Sequence, residues 1–182
     1  MFKEKYALKH LIGWTLASVA VMFFAFYSFL PLSENQLNKA DVTINVIEKY
    51  TEHRVSWVNL YDNENNKYYC HEEILTNYNS ASVFADVLEE EYKDKELTIY
   101  YTDRIDLTPI NIPRFWGFNR VAAIKCGSET IVNLDAYNSA NMGALFGWLI
   151  VAVVILLFAT GPFIIVRIME ISAKRKNKYQ HP

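Results

Sequence analysis

Few residues in this chain have both the type and the spacing that chemistry needs. Cys70 and Cys126 are its two cysteines. Without a CxxC spacing or further thiols they make no metal-ligand set. In an oxidising compartment an even pair suggests a disulfide. Such a bridge would close a loop of 55 residues, worth roughly 4 kcal/mol in the chain-entropy account. The alternative is two buried free thiols, since cysteine packs well in cores. Spacing alone does not bring two Cα atoms within bridging distance, so both readings stay open.

The histidines are His10, His53, His71 and His181. None has a partner at metal-ligand spacing such as HExxH. Cys70-His71-Glu72-Glu73 reads as a cluster only until geometry is applied. On a strand, neighbours point to opposite faces, so His71 shares a face with Glu73 and not with Cys70. That is a surface pair. The run Glu89-Glu90-Glu91 reads as the solvated face of a helix. The chain has no G-x-S-x-G, no Gly-rich phosphate loop, and only six glycines. The expectation is therefore a non-enzymatic protein with no cofactor and no metal site.

The most unusual remaining segment is Pro113-Arg114-Phe115-Trp116-Gly117-Phe118. Arg114, Phe115, Trp116 and Phe118 could form a contact surface for a protein partner or for the bilayer interface, where aromatic rings are favoured. Equally, the loop could cap the core of its own domain.

These residues need elements to hold them, and the apolar patterning supplies those elements. Leu11–Leu30 is 20 residues without a charge. At ~1.5 Å per residue it reaches ~30 Å, the thickness of a hydrocarbon core. Gly143–Val166 is 24 residues, again uncharged, and can span with some tilt. A soluble core rarely needs a helix that is apolar on every face for so long. The first stretch follows Lys3, Lys5 and Lys9, as a signal peptide would. Its apolar region is too long for that, and no small-x-small pair follows, so it reads as an uncleaved anchor.

Charge sets the expected orientation. Residues 1–10 carry three lysines against Glu4, a balance of +2. Residues 167–182 carry Arg167, Lys174, Arg175, Lys176 and Lys178 against Glu170, a balance of +4. Short basic flanks stay in the cytoplasm. The rest holds 10 Lys/Arg and 18 Asp/Glu, a balance of -8. The expected layout is a cytoplasmic start over 1–10, a span over 11–30, an extracytoplasmic domain over 31–142, a span over 143–166 and a basic cytoplasmic tail over 167–182. An acidic exported domain is a poor nucleic-acid binder, which needs a basic footprint. The tail's basic run is a topology signal with some attraction to anionic lipid.

Within 31–142 the periods alternate. Asp41–Lys49, Val55–Tyr61 and Lys67–Ile74 read as strands, the last two joined by the turn Asp62-Asn63-Glu64-Asn65-Asn66. Ser80–Tyr92 shifts to helical spacing, with Ser82 as the expected N-cap. Glu96–Thr102, Arg120–Lys125 and Ser128–Leu134 read as three more strands. The predicted fold is α+β: two transmembrane helices flanking a small, mainly antiparallel extracytoplasmic domain with one helix.

Gly13-x-x-x-Ala17 and Gly143-x-x-x-Gly147 are spacings that let membrane helices approach closely, within one chain or between two copies in a homo-oligomer. No ionisable residue lies inside either span, which argues against a transporter acting alone.

The paired strands 42–49 and 55–61, the turn into Tyr68-Tyr69, the helix 82–92 and the segment ELTIYYTDR carry a resemblance. The layout resembles a widespread bacterial membrane family of unknown function, in which a small β-rich domain sits between two transmembrane helices. Pro109 comes later after Ile99-Tyr100-Tyr101 than in that family, and PRFWGFNRVAAIKC is an extra segment. The resemblance implies architecture at the plasma (inner) membrane and no catalytic residues. Two functional expectations follow: an anchored domain that binds a protein partner in an immunity or accessory role, or a structural subunit acting through its helices.

Overall fold

The computed structural model describes residues 2–52, 55–103 and 119–180. It divides into two compact units, Met1–Tyr27 with Leu145–Pro182, and Ser28–Ala144.

The first unit is built from two helices, α1 (Phe2–Phe29) and α3 (Leu134–Gln180). Each contains a segment long and apolar enough to cross a membrane, Lys9–Phe29 and Leu134–Gly161. Their large side chains face away from the chain: Leu16, Phe23, Leu157 and Phe158 are between 63% and 79% exposed. Between the helices, the buried Ser18 hydroxyl donates to the carbonyl of Ala152 at 3.0 Å. The α3 helix continues through Gly161-Pro162 and runs 47 residues, about 70 Å at ~1.5 Å per residue.

The second unit is α+β with a mainly antiparallel sheet. Its elements are β1 (Asn38–Glu52), β2 (Val55–Asp62), β3 (Lys67–His71), α2 (Ala81–Glu91), β4 (Glu96–Thr102), β5 (Asn119–Cys126) and β6 (Glu129–Val132). The long β1 serves two neighbours. Its first part, Asn38–Thr43, pairs with β4, and its second, Ile44–Glu52, pairs with β2. An irregularity between Ile44 and Val46 marks the change. The order β3-β2-β1-β4-β5-β6 then closes on itself, because β3 also pairs in parallel with β5 through Tyr68↔Asn119 and Tyr69↔Arg120. Five strands closed in this order, with a helix between the third and fourth, form a small Greek-key barrel of the OB type. Closure removes most of the free sheet edge that would otherwise invite aggregation. Such a scaffold hosts many functions and dictates none.

The barrel interior follows from the period-two alternation of its strands. Val58, Leu60, Tyr68, Cys70, Leu97, Ile99, Val121 and Ile124 fill it, and Phe84, Ala85 and Leu88 of α2 join the same core. The α2 helix is capped by Ser80, whose side chain accepts from the amide of Val83 at 3.3 Å. The expected cap, Ser82, is an exposed residue inside the helix instead. Strand β3 ends at His71, three residues before the expected limit, because the chain tightens into a 3-10 turn at Glu72–Ile74. Gly127 takes φ +58° in the β5–β6 turn, a left-handed conformation that glycine adopts without steric cost.

Candidate functional site

The register of β1, β2 and β3 assembles a grid of nine side chains on the sheet face opposite the core. Tyr50 stands across from Trp57, and Trp57 across from His71. Glu48 pairs with Asn59, and Asn59 with Tyr69. Val46 pairs with Tyr61, and Tyr61 with Lys67. The intervening residues Val58, Leu60, Tyr68 and Cys70 point into the core, so these nine side chains share the other face of the sheet, where Trp57, Asn59 and Tyr69 are also buried.

Its aromatic rings are ordered against one another. Tyr50 and Trp57 stack with centroids 5.4 Å apart and planes 10° from parallel. Trp57 lies 6.2 Å from Tyr69, and Tyr69 lies 6.2 Å from His71. The Lys67 ammonium sits 5.6 Å from the centroid of Tyr61. Trp57 and Tyr69 are buried, whereas Tyr50 is 41% and Val46 45% exposed.

Glu48 carries the negative charge of the grid, on its β1 side. Its Oε2 accepts hydrogen bonds from the hydroxyls of Tyr50 at 2.8 Å and Tyr61 at 2.9 Å. The Tyr50 bond first, then that of Tyr61, holds the Glu48 carboxyl below its usual range. Burial, with help from the Glu48 carboxylate, pushes the Tyr61 phenol up to about 12. Glu48 is thus ionised at neutral pH.

The residues picked from sequence fare differently. Cys70 and Cys126 are free thiols, not a bridge. The β3–β5 register sets Cys70 level with Val121. Cys126 lies roughly 16 Å further along β5, at ~3.3 Å per residue, beyond the span of a disulfide. Burial raises the Cys70 thiol, which is fully enclosed in the core and so unreactive. His71 does meet Glu73, though through the turn rather than along a strand. Its Nδ1 accepts from the Glu73 amide at 3.2 Å and lies 3.7 Å from the Glu73 carboxylate. Arg114, Phe115, Trp116 and Phe118 lie outside the described residues, as does His53.

Gly13, Ala17, Gly143 and Gly147 are all exposed on their helices. A Cβ added at any of the three glycines meets nothing within 4 Å, so they do not form the close approach between α1 and α3. Ser18 and Ala152 do.

Two polar features brace the domain, one expected from the sequence and one not. The Asn138 side chain accepts from the amide of Leu32 and donates to its carbonyl, both at 2.9 Å. The Asp62 carboxylate organises its turn, accepting from the amides of Glu64 at 2.9 Å and Asn66 at 2.8 Å. Asx turns of this kind are legible in the Asp-Asn-Glu-Asn-Asn run; a pairing across 106 residues is not. A cleft of about 80 Å³ between β1 and α2, lined by Ile44, Ile47, Leu88 and Tyr92 among others, is well short of the ~300 Å³ at which small-molecule pockets begin. Compared with protein-family models, with curated proteins and with solved structures, the chain matches none.

Proposed function

We propose that this chain is a two-pass protein of the plasma (inner) membrane whose barrel domain stands outside the cytoplasm and binds a protein partner. It does so without catalysis of its own, in an immunity or accessory role. Two helices with outward apolar side chains support the anchoring. The basic flanks of both helices, against the acidic domain between them, support the orientation.

One observation carries the binding reading: the outward grid on β1–β3, with Tyr50 and Val46 exposed beside the Trp57 and Tyr61 rings. Tyrosine and tryptophan give large rigid contact area at low entropy cost, which is why they dominate the energetic centres of protein interfaces. A polar rim from Glu48, Lys67 and His71 adjoins them.

The test is a photo-reactive residue at position 50 of the full-length chain in intact cells. The same probe at Glu90, an exposed residue of α2, serves as the comparison. The expected outcome is one protein crosslinked from position 50 and not from position 90. Tyr50→Ala should then lower co-purification of that protein at least ~10-fold, as truncation of an interface anchor does. Adducts from position 90 alone, or none from either, would overturn the reading.

A further inference from the structure

A larger concavity lies in the helical unit, where the apolar stretch of α1 begins. It is an open groove of about 490 Å³ with mostly apolar walls, and among the described residues Lys9, His10, Gly13 and Trp14 line it. Sites that hold a drug-sized ligand occupy ~300–1,000 Å³. The spacing of these four residues explains the groove. Residues three and four apart share a helix face, so Gly13 follows Lys9 and His10 on one stripe, and Trp14 follows His10 beside it. Gly13 has no side chain to fill that stripe, and a Cβ added there meets nothing within 4 Å. Trp14 is 51% exposed and forms a wall. Lys9 and His10 are exposed as well, the first an ammonium and the second an N–H donor. The uncharged run starts directly after them, at Leu11. One end of the groove is therefore cationic and the other apolar.

At the edge of a bilayer that combination matches an amphiphile with a negative head. A phosphate diester accepts charge-assisted hydrogen bonds from Lys9 and His10, while an acyl chain runs over Gly13 along the Trp14 ring. Tryptophan favours this depth of the membrane. Basic pockets at the cytoplasmic ends of spans take up anionic headgroups. Residues 1–10 have a balance of +2, so the local field has the sign such a head requires.

We infer that the groove from Lys9 to Trp14 holds an anionic phospholipid of the cytoplasmic leaflet. Lys9 and His10 bind its phosphate, and Gly13 and Trp14 receive an acyl chain. This rests on the reading of α1 as a span that begins in the cytoplasm, and it names the lipid class that the span selects.

The test uses the purified full-length chain in maltoside micelles, labelled with 5-fluorotryptophan. The Trp14 resonance is identified by its loss in Trp14→Phe. Three probes are compared: dihexanoyl phosphatidylglycerol, dihexanoyl phosphatidylcholine with the same chains and no net charge, and glycerol 1-phosphate, a head without chains. Phosphatidylglycerol should shift the Trp14 resonance saturably, at a concentration at least ~10-fold below that of phosphatidylcholine, as suits two cations near a headgroup. Glycerol 1-phosphate should give no shift over that range. Replacing both cations, Lys9→Gln with His10→Gln, should bring phosphatidylglycerol to the level of phosphatidylcholine. Gly13→Leu should abolish the shift with both cations in place, because its side chain enters the groove where no other atom stands. The Trp57 and Trp148 resonances should stay in place in both variants, which shows the fold intact. Equal affinity for the two lipids, saturation by glycerol 1-phosphate, or undiminished phosphatidylglycerol binding in either variant would overturn the inference. If the double variant moves Trp57 or Trp148, Gly13→Leu decides alone, and full affinity there would overturn it. A micelle has no inner and outer face, so failure here strikes the groove and leaves the orientation of the chain and the partner of the barrel to their own tests.

Discussion

Glu48, Tyr50 and Tyr61 share a single carboxylate oxygen, and this ties the titration of the face to the stability of the domain. Burial and the neighbouring Glu48 hold Tyr61 at about 12, and burial with the nearby Asp62 carboxylate does the same for Tyr68. An unfolded phenol titrates near 10. A group that must lose its proton later when folded stabilises the fold fully below its unfolded value. That contribution drains away as pH rises from about 10 through about 12. The expected outcome is that Tyr61 and Tyr68 develop phenolate absorbance near pH 12 in the folded chain, with thermal stability falling over the same interval, while Tyr92, whose hydroxyl donates to Glu129, titrates later still. In Tyr61→Phe one of the late phenols should vanish and the alkaline fall should soften. Tyrosines that all titrate near pH 10 would contradict the packing described. At this scale the sequence was half legible. Alternation within β1 and β2 already puts Glu48 with Tyr50, and Trp57 with Asn59 and Tyr61. Which residue faces which across strands depends on register, and register is a tertiary property that a single strand does not encode. The rings of Phe115, Trp116 and Phe118 stand out in the sequence, whereas rings that become neighbours only on folding do not.

The elements themselves were readable where local physics decides them. Strand β4 lies at the expected Glu96–Thr102 because buried Leu97 and Ile99 alternate with the less buried Glu96, Thr98 and Tyr100. The β2–β3 hairpin follows from the Asp62–Asn66 turn. Boundaries moved where distant contacts decide them. Helix α3 begins at Leu134, the last residue of the strand expected over Ser128–Leu134 and well before the span expected from Gly143. One reason is Asn138, whose side-chain amide is committed to Leu32 at both ends. That double bond fastens the chain leaving α1 to the first turns of α3. Asn138→Ala leaves the Leu32 amide and carbonyl without that partner, a loss of about 2–3 kcal/mol on ~1 kcal/mol per bond plus desolvation. Asn141, three residues on, is also buried, but among the described residues neither its amide nitrogen nor its oxygen has a partner. Asn141→Ala should therefore cost less than Asn138→Ala, since it removes packing and no hydrogen bond. Thermal unfolding of the two variants in the same detergent decides the order, and equal losses would mean the Leu32 pairing contributes little.

For the whole molecule, composition carried the plan and topology carried the surprise. Two uncharged stretches, short basic ends and an acidic middle are visible without any structure. On the proposed reading the apolar stretches lie in the bilayer, and the lysines and arginines beside them stay on the cytoplasmic side. Barrel closure was not visible, because the parallel β3–β5 contact joins residues 51 apart in the chain and leaves no local trace. That contact is also what separates Cys70 from Cys126. The account stands on the domain lying outside while both ends stay inside. The direct test is labelling with a membrane-impermeant maleimide in intact cells, using single cysteines in a Cys70→Ala, Cys126→Ser background. One cysteine replaces Asn63, exposed in the β2–β3 turn, and the other replaces Lys176 in the tail. The account predicts labelling at position 63 in intact cells, and at position 176 only after the membrane is opened. Labelling at 176 in intact cells, or protection at 63, would contradict it.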